Sequence, residues 1–128
     1  MNYYFNKTIK GSFDEVITKV TEGLKTEGFG VLTEIDMKKT FKSKLDVEMR
    51  NYKILGACNP TFAYKALEAE DKIGTMLPCN VIVQELEDGL IEVAAVNPMA
   101  SMQAVQNDKL KDVAGDVTLM LENVIKRL

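Results

Sequence analysis

Cys58 and Cys79 are the only cysteines of the 128-residue chain, and each stands beside a proline, in Ala57-Cys58-Asn59-Pro60 and Leu77-Pro78-Cys79-Asn80. The third proline, Pro98, follows an asparagine just as Pro60 does. What a thiol does depends on where it sits. Ahead of a helix N-terminus, the backbone donors and the dipole favour the thiolate, whereas in apolar surroundings a cysteine is an inert core filler. Two thiols open three chemistries: redox or group transfer using Cys58 and Cys79 together, soft-metal binding by both thiolates (within one chain or across a dimer), or contact with a ligand in a pocket beside them. They are 21 positions apart, which matches no recognised redox spacing. Free cysteine is also among the most buried residue types, so packing competes with all three.

The chain has no histidine. That removes the Ser-His-Asp and Cys-His nucleophile pairs, the usual general base near neutral pH and the commonest zinc ligand. Two cysteines alone do not complete a four-ligand structural zinc site. No complete catalytic set exists, so no catalytic residue, metal or cofactor is assigned from the residues.

Other clusters read as structure. Glu85, Glu87 and Asp88, and likewise Glu68, Glu70 and Asp71, crowd turns among charged neighbours, where a solvated surface is expected rather than acid–base work. Gly23, Gly28 and Gly30 follow no phosphate-loop spacing. Met76, Met99 and Met102 are adaptable apolar side chains, fit to line a pocket or to fold onto a sheet.

The elements that must position the cysteines follow from periodicity. Asn2 to Ile9 alternates as a strand. Ser12 with Glu15 three residues later has the capping-box pattern, and Phe13, Val16, Ile17, Val20 and Leu24 give a helix over about Phe13 to Glu27, stopped at Gly28. Phe29 to Asp36 alternates as a strand. Met37, Phe41, Leu45 and Met49 recur every four residues, which predicts an amphipathic helix over about Lys38 to Glu48.

Tyr52 to Cys58 reads as a buried strand whose Gly56 and Ala57 leave room for a close neighbour. Asn59 at the cap and Pro60 in the first turn start a third helix, with Phe62, Ala63, Ala66 and Leu67 as its apolar stripe. Residues 72–78 read as a loop. Val81 to Leu86 and Leu90 to Val96 form a hairpin turning at Glu87-Asp88-Gly89, with Gly89 in the positive-φ position. Met99 to Gln106 is a loop or short helical turn, and a long helix runs from Asp108 to Arg127. The hairpin and half-polar strands predict an α+β fold. It is a two-layer sandwich with a mainly antiparallel sheet of about five strands and helices on one face. In that arrangement Cys58 leaves the third strand and Cys79 enters the fourth at the same sheet edge.

Length predicts a single domain over residues 1–128. The N-terminus has no signal-peptide pattern, and no apolar run is long enough to span a bilayer, so the expected setting is cytoplasmic, without a membrane partner. The net charge of −3, from 19 acidic and 16 basic residues, argues against a nucleic-acid partner.

Taken together, Gly28-Phe29-Gly30-Val31-Leu32, Glu34-Ile35-Asp36, Tyr52 through Pro60, Ala66-Leu67, Ile73-Gly74 and Leu77-Pro78-Cys79-Asn80-Val81 resemble the domain of unknown function 302 family, in order over nearly the whole chain. The resemblance implies a compact α+β domain, often dimeric, and adds weight to the Cys-Asn-Pro and Leu-Pro-Cys motifs. The candidate site is accordingly Cys58, Asn59, Pro60, Pro78 and Cys79. The expected function is a homodimeric module binding a small-molecule ligand or partner in a pocket beside the two cysteines.

Overall fold

The computed structural model describes residues 1–128. Its elements are β1 (Tyr4–Lys10), α1 (Phe13–Thr26), β2 (Gly30–Asp36), α2 (Met37–Leu45), β3 (Tyr52–Cys58), α3 (Pro60–Ala69), β4 (Cys79–Glu85), β5 (Leu90–Val96), α4 (Pro98–Ser101) and α5 (Asp108–Lys126). Short 3-10 turns cover Asp71–Met76 and Glu87–Gly89. The strands form one sheet in the order β1-β5-β4-β3-β2, antiparallel at every pairing. This is the α+β sandwich that the alternating strands predict.

Side chains alternate across a strand, so one face of the sheet gathers the apolar positions. Val81 and Val83 on β4 and Ile91, Val93 and Ala95 on β5 are buried, while their neighbours in between are half-buried. Against that face α1 lays Val16, Val20 and Leu24, and α5 lays Val117, Leu121, Val124 and Ile125. Each large apolar side chain buried this way contributes roughly 1.5–3 kcal/mol. A second, smaller cluster (Ala66, Ile73, Met102, Leu110 and Ala114) joins α3, the first 3-10 turn, the segment after α4 and the start of α5.

Three asparagines tie the helix ends together. Asn97 accepts from Met99 N at the start of α4, donates to Asn2 O at 3.0 Å, and is itself buried. Asn107 accepts from Lys109 N at the start of α5 and donates to Ala69 O at the end of α3, at 2.7 Å. Asn59 holds the cap position of α3, yet its side chain makes no cap bond there; its amide nitrogen donates instead to Glu27 O, at 3.1 Å. The sequence expectation of an ordinary Asn cap is corrected on this point. The C-terminal carbonyls of α1 lack intrahelical partners, and Asn59 is turned to satisfy one of them.

Other boundaries moved for local reasons. α2 stops at Leu45 instead of about Glu48, because Asp46 takes the left-handed conformation (φ 53°). Its expected apolar stripe is only half-buried at Met37, Phe41 and Met49, and Leu45 is exposed. β2 was expected to bury one face. It is an edge strand with a bulge between Val31 and Thr33, and Leu32 and Ile35 are exposed. The expected loop at 72–78 is largely a 3-10 turn that buries Ile73, followed by a cis Leu77–Pro78 bond. The hairpin turn places Asp88 as well as Gly89 at positive φ. α5 ends at Lys126, and the Lys7 ammonium caps it by donating to the carbonyls of Lys126 and Leu128.

Gly56 is the tightest point in the sheet. A Cβ there would lie 2.7 Å from Pro78 Cγ and would also collide with Thr33 Oγ1. A proline ring has little freedom to retreat, and overpacking of this kind costs about 1–3 kcal/mol. We expect Gly56→Ala to lower unfolding stability by about that amount in urea titrations; an unchanged midpoint would mean that Pro78 does not pack against β3.

Candidate functional site

The candidate site lies where the chain leaves the sheet and returns to it. β3 ends at Cys58, α3 and the 3-10 turn arch over the sheet end, and β4 begins at Cys79. In the β3–β4 register Cys79 stands opposite Ala57, while Cys58 stands opposite Gly30 of β2. The two cysteines therefore occupy the same end of neighbouring strands without being register partners. Both are free thiols, Cys58 half-buried and Cys79 buried.

Under the arch is a cavity of about 290 Å³. It opens at the seam between the two apolar clusters: Ala57, Cys79 and Val117 come from the larger one, Ala66, Met102 and Ala114 from the smaller. α3 presents Phe62, Ala63, Ala66 and Leu67 to it, the same stripe that its periodicity identifies. Of 17 lining residues, 14 are hydrophobic and two more are Pro78 and Pro98, which leaves Asn59 as the one side chain carrying oxygen or nitrogen. Leu32, 68% exposed, and Leu67, 43% exposed, belong to both the lining and the outer surface.

Four of the five residues singled out from the sequence line this cavity: Cys58, Asn59, Pro78 and Cys79. Pro60 does not; it is exposed at the first turn of α3. Among the methionines only Met102 lines it, and Met76 is exposed. Sequence reasoning missed Leu32, which faces the cavity because of the β2 bulge. It also missed Val113, Ala114 and Val117 of α5, whose apolar stripe is divided between core and cavity. The second Asn-Pro pair was a usable signal, since Pro98 lines the cavity from the other side.

The electrostatics of the thiols are unequal. Burial pushes the Cys79 thiol up from 9.0 to about 11, with a smaller electrostatic push in the same direction from Cys58. Near neutral pH Cys79 is a protonated thiol, a poor nucleophile and a poor metal ligand. This weighs against chemistry that needs two thiolates. Across the chain, no group of three or more His, Cys, Asp or Glu side chains is placed to hold a metal ion. The acidic turns carry their expected exposure at Glu68, Asp71, Glu87 and Asp88, while Glu70 and Glu85 are half-buried and accept side-chain amide hydrogens from Asn107 and Asn51.

A one-sided antiparallel sheet, an arch between adjacent strands and Cys-Asn-Pro and Leu-Pro-Cys at the two feet of that arch define the class. The family model described as "Domain of unknown function DUF302" matches residues 5–128, and the chain belongs to that family. Among solved structures it is similar to the crystal structure of an uncharacterized conserved protein DUF302 from Bacillus stearothermophilus. The two share 26% identity with a TM-score of 0.89, over 98% of this chain and 97% of that one. No curated protein matches. No helix is long and apolar enough to cross a membrane.

The raised Cys79 value has a measurable consequence. Below pH 9 the thiol is protonated in both folded and unfolded chains, so its contribution to stability is whole. As pH rises towards 11 only the unfolded chain ionises it, and stability falls by about 2–3 kcal/mol. We expect chemical unfolding across this range to show that loss in the native protein and a smaller one in Cys79→Ala. A maleimide at pH 8 should label Cys58 well before Cys79, and equal rates would contradict the burial difference.

Proposed function

We propose that this protein is a binding module for a small apolar ligand, held in the cavity beside Cys58 and Cys79. The observation that carries this reading is the character of the lining. A space of about 290 Å³ has room for roughly ten waters by bulk volume, each wanting two to four polar partners. One amide side chain does not satisfy that need, so water there is poorly held and an apolar occupant displaces it at little cost. Pockets that bind small molecules are commonly concave, mostly apolar and furnished with few polar groups. Cys58, Cys79 and Pro78 act here as shape and apolar surface. Leu32 and Leu67, exposed and lining at once, supply a way in.

The test is direct. An uncharged naphthylamine fluorophore should brighten on titration with the protein as it leaves water. Ala63→Leu puts a larger side chain on the cavity side of α3 without lowering helix propensity appreciably. Binding should weaken at least tenfold in that variant while far-ultraviolet circular dichroism stays unchanged. A fluorophore that ignores the native protein, or binds native and variant alike, removes the cavity as the site.

A further inference from the structure

The helices α1 and α5 pack on one face of the sheet, and the side chains that alternate away from them form the other. With Val81, Val83, Val93 and Ala95 turned inwards, Ile82, Gln84, Glu92 and Ala94 face outwards. A depression of about 400 Å³ lies on this outer face and shares no lining residue with the cavity beside the cysteines. Its floor includes Ala94 and Ile82, which are register partners. Tyr3 and Tyr4, their rings edge to face at 4.9 Å, line it at β1, and Tyr52 lines it at β3. Because β5 and β4 lie between those strands, the tyrosine walls stand about 14 Å apart.

Glu92 also lines the depression, half-buried, and its carboxylate is held in place. Oε1 accepts from Gln84 Nε2 at 2.6 Å and Oε2 from Asn6 Nδ2 at 2.9 Å. Asn6 is the register partner of Ala94, not of Glu92, so this second bond spans from the Glu92 row to the Ala94 row on the floor. Both donors are neutral amides, and they fill two of the roughly four acceptor sites of a carboxylate. Glu92 takes part in none of the chain's ion pairs. Arg50 does not supply the missing charge: its Nε donates to Gln84 Oε1 at 2.8 Å, and its guanidinium sits over the Tyr52 ring, 5.7 Å from the centroid.

We propose that this depression binds a protonated primary amine carried on a compact apolar body. The ammonium brings three donors and a positive charge to a carboxylate with open acceptor sites and no counter-charge in contact. The body lies over Ala94 and Ile82, between tyrosine rings whose faces attract a cation, as Tyr52 already does for Arg50. A carboxylate ligand meets like charge at Glu92. A neutral alcohol offers one donor and leaves that charge uncompensated.

The experiment compares three probes with one cyclohexyl body: cyclohexylmethylammonium, cyclohexylmethanol and cyclohexanecarboxylate. Each is titrated into the isotope-labelled full chain at pH 7 and low salt, and the backbone amide resonances of Ile82, Gln84, Glu92 and Ala94 are followed by NMR. The ammonium should move these resonances and bind about fivefold or more tightly than the alcohol, the factor expected of an exposed charge pair with an aromatic neighbour. The carboxylate should leave them in place. In Glu92→Gln the ammonium and alcohol should bind alike. In Glu87→Gln, which removes the same charge from the exposed hairpin turn, the preference should persist. The probe comparison on the native chain stands even where Glu92→Gln unfolds. Ammonium and alcohol binding alike to the native chain, a preference that survives Glu92→Gln or vanishes equally in Glu87→Gln, or no shift with any probe overturns the amine site. The cavity beside the cysteines is read out by other resonances, so its reading stands or falls separately.

Discussion

Helix ends laid against a sheet bury polar backbone groups that the helix itself does not satisfy, and an unpartnered buried carbonyl or amide costs as much as a lost hydrogen bond. The fold meets this constraint with asparagine, the side chain that donates and accepts at once. Asn107 links the end of α3 to the start of α5, Asn97 links the N-terminal segment to α4, and Asn59 links the end of α1 to the start of α3. Arg127 adds an ion pair to Glu27 at 3.2 Å, so the ends of α1 and α5 meet at the residue whose carbonyl accepts the Asn59 amide hydrogen. These links determine how far α3 stands off the sheet end. The cavity is the space that results.

The arch also depends on what is missing at position 56. With no side chain on Gly56, Pro78 and Thr33 lie directly against the backbone of β3, and the start of β4 is drawn in beside it. Cys79 is thereby buried and protonated, and Cys58, one residue past its register partner, stays half-buried. The Cys and Pro motifs thus describe one piece of geometry: where two strands end and how closely the crossing segment returns.

Much of this was legible from residue pattern. Strand alternation and the Glu87-Asp88-Gly89 turn announce the antiparallel sheet, Ser12 begins α1 with an accepted bond from Glu15 N, and Phe62, Ala63, Ala66 and Leu67 mark the face of α3 that lines the cavity. Gly56 was readable as a place of close approach, though not that Pro78 makes it. What was illegible depends on partners distant in the chain. Asn59 has the local signature of a cap, and only the position of Glu27 O, 32 residues away, decides that its amide turns elsewhere. The stripe on α2 is regular in sequence, yet the helix follows an edge strand, and Met37 and Phe41 are only half-buried while Leu45 is exposed. Leu32 reads as an alternating strand residue, and a bulge that no local pattern announces turns it towards the cavity.

That bulge also bears on how the sheet meets other copies of itself. An open antiparallel sheet has two free edges, each a template on which a foreign strand can zip. Here β2 is interrupted between Val31 and Thr33 and carries exposed Glu34. The other edge, β1, shows exposed Asn6, Thr8 and Lys10. A kinked ladder on one side and a polar one on the other keep growth strand by strand from one molecule to the next unfavourable. The irregularity that brings a leucine to the cavity mouth is thus also a guard against fibre formation.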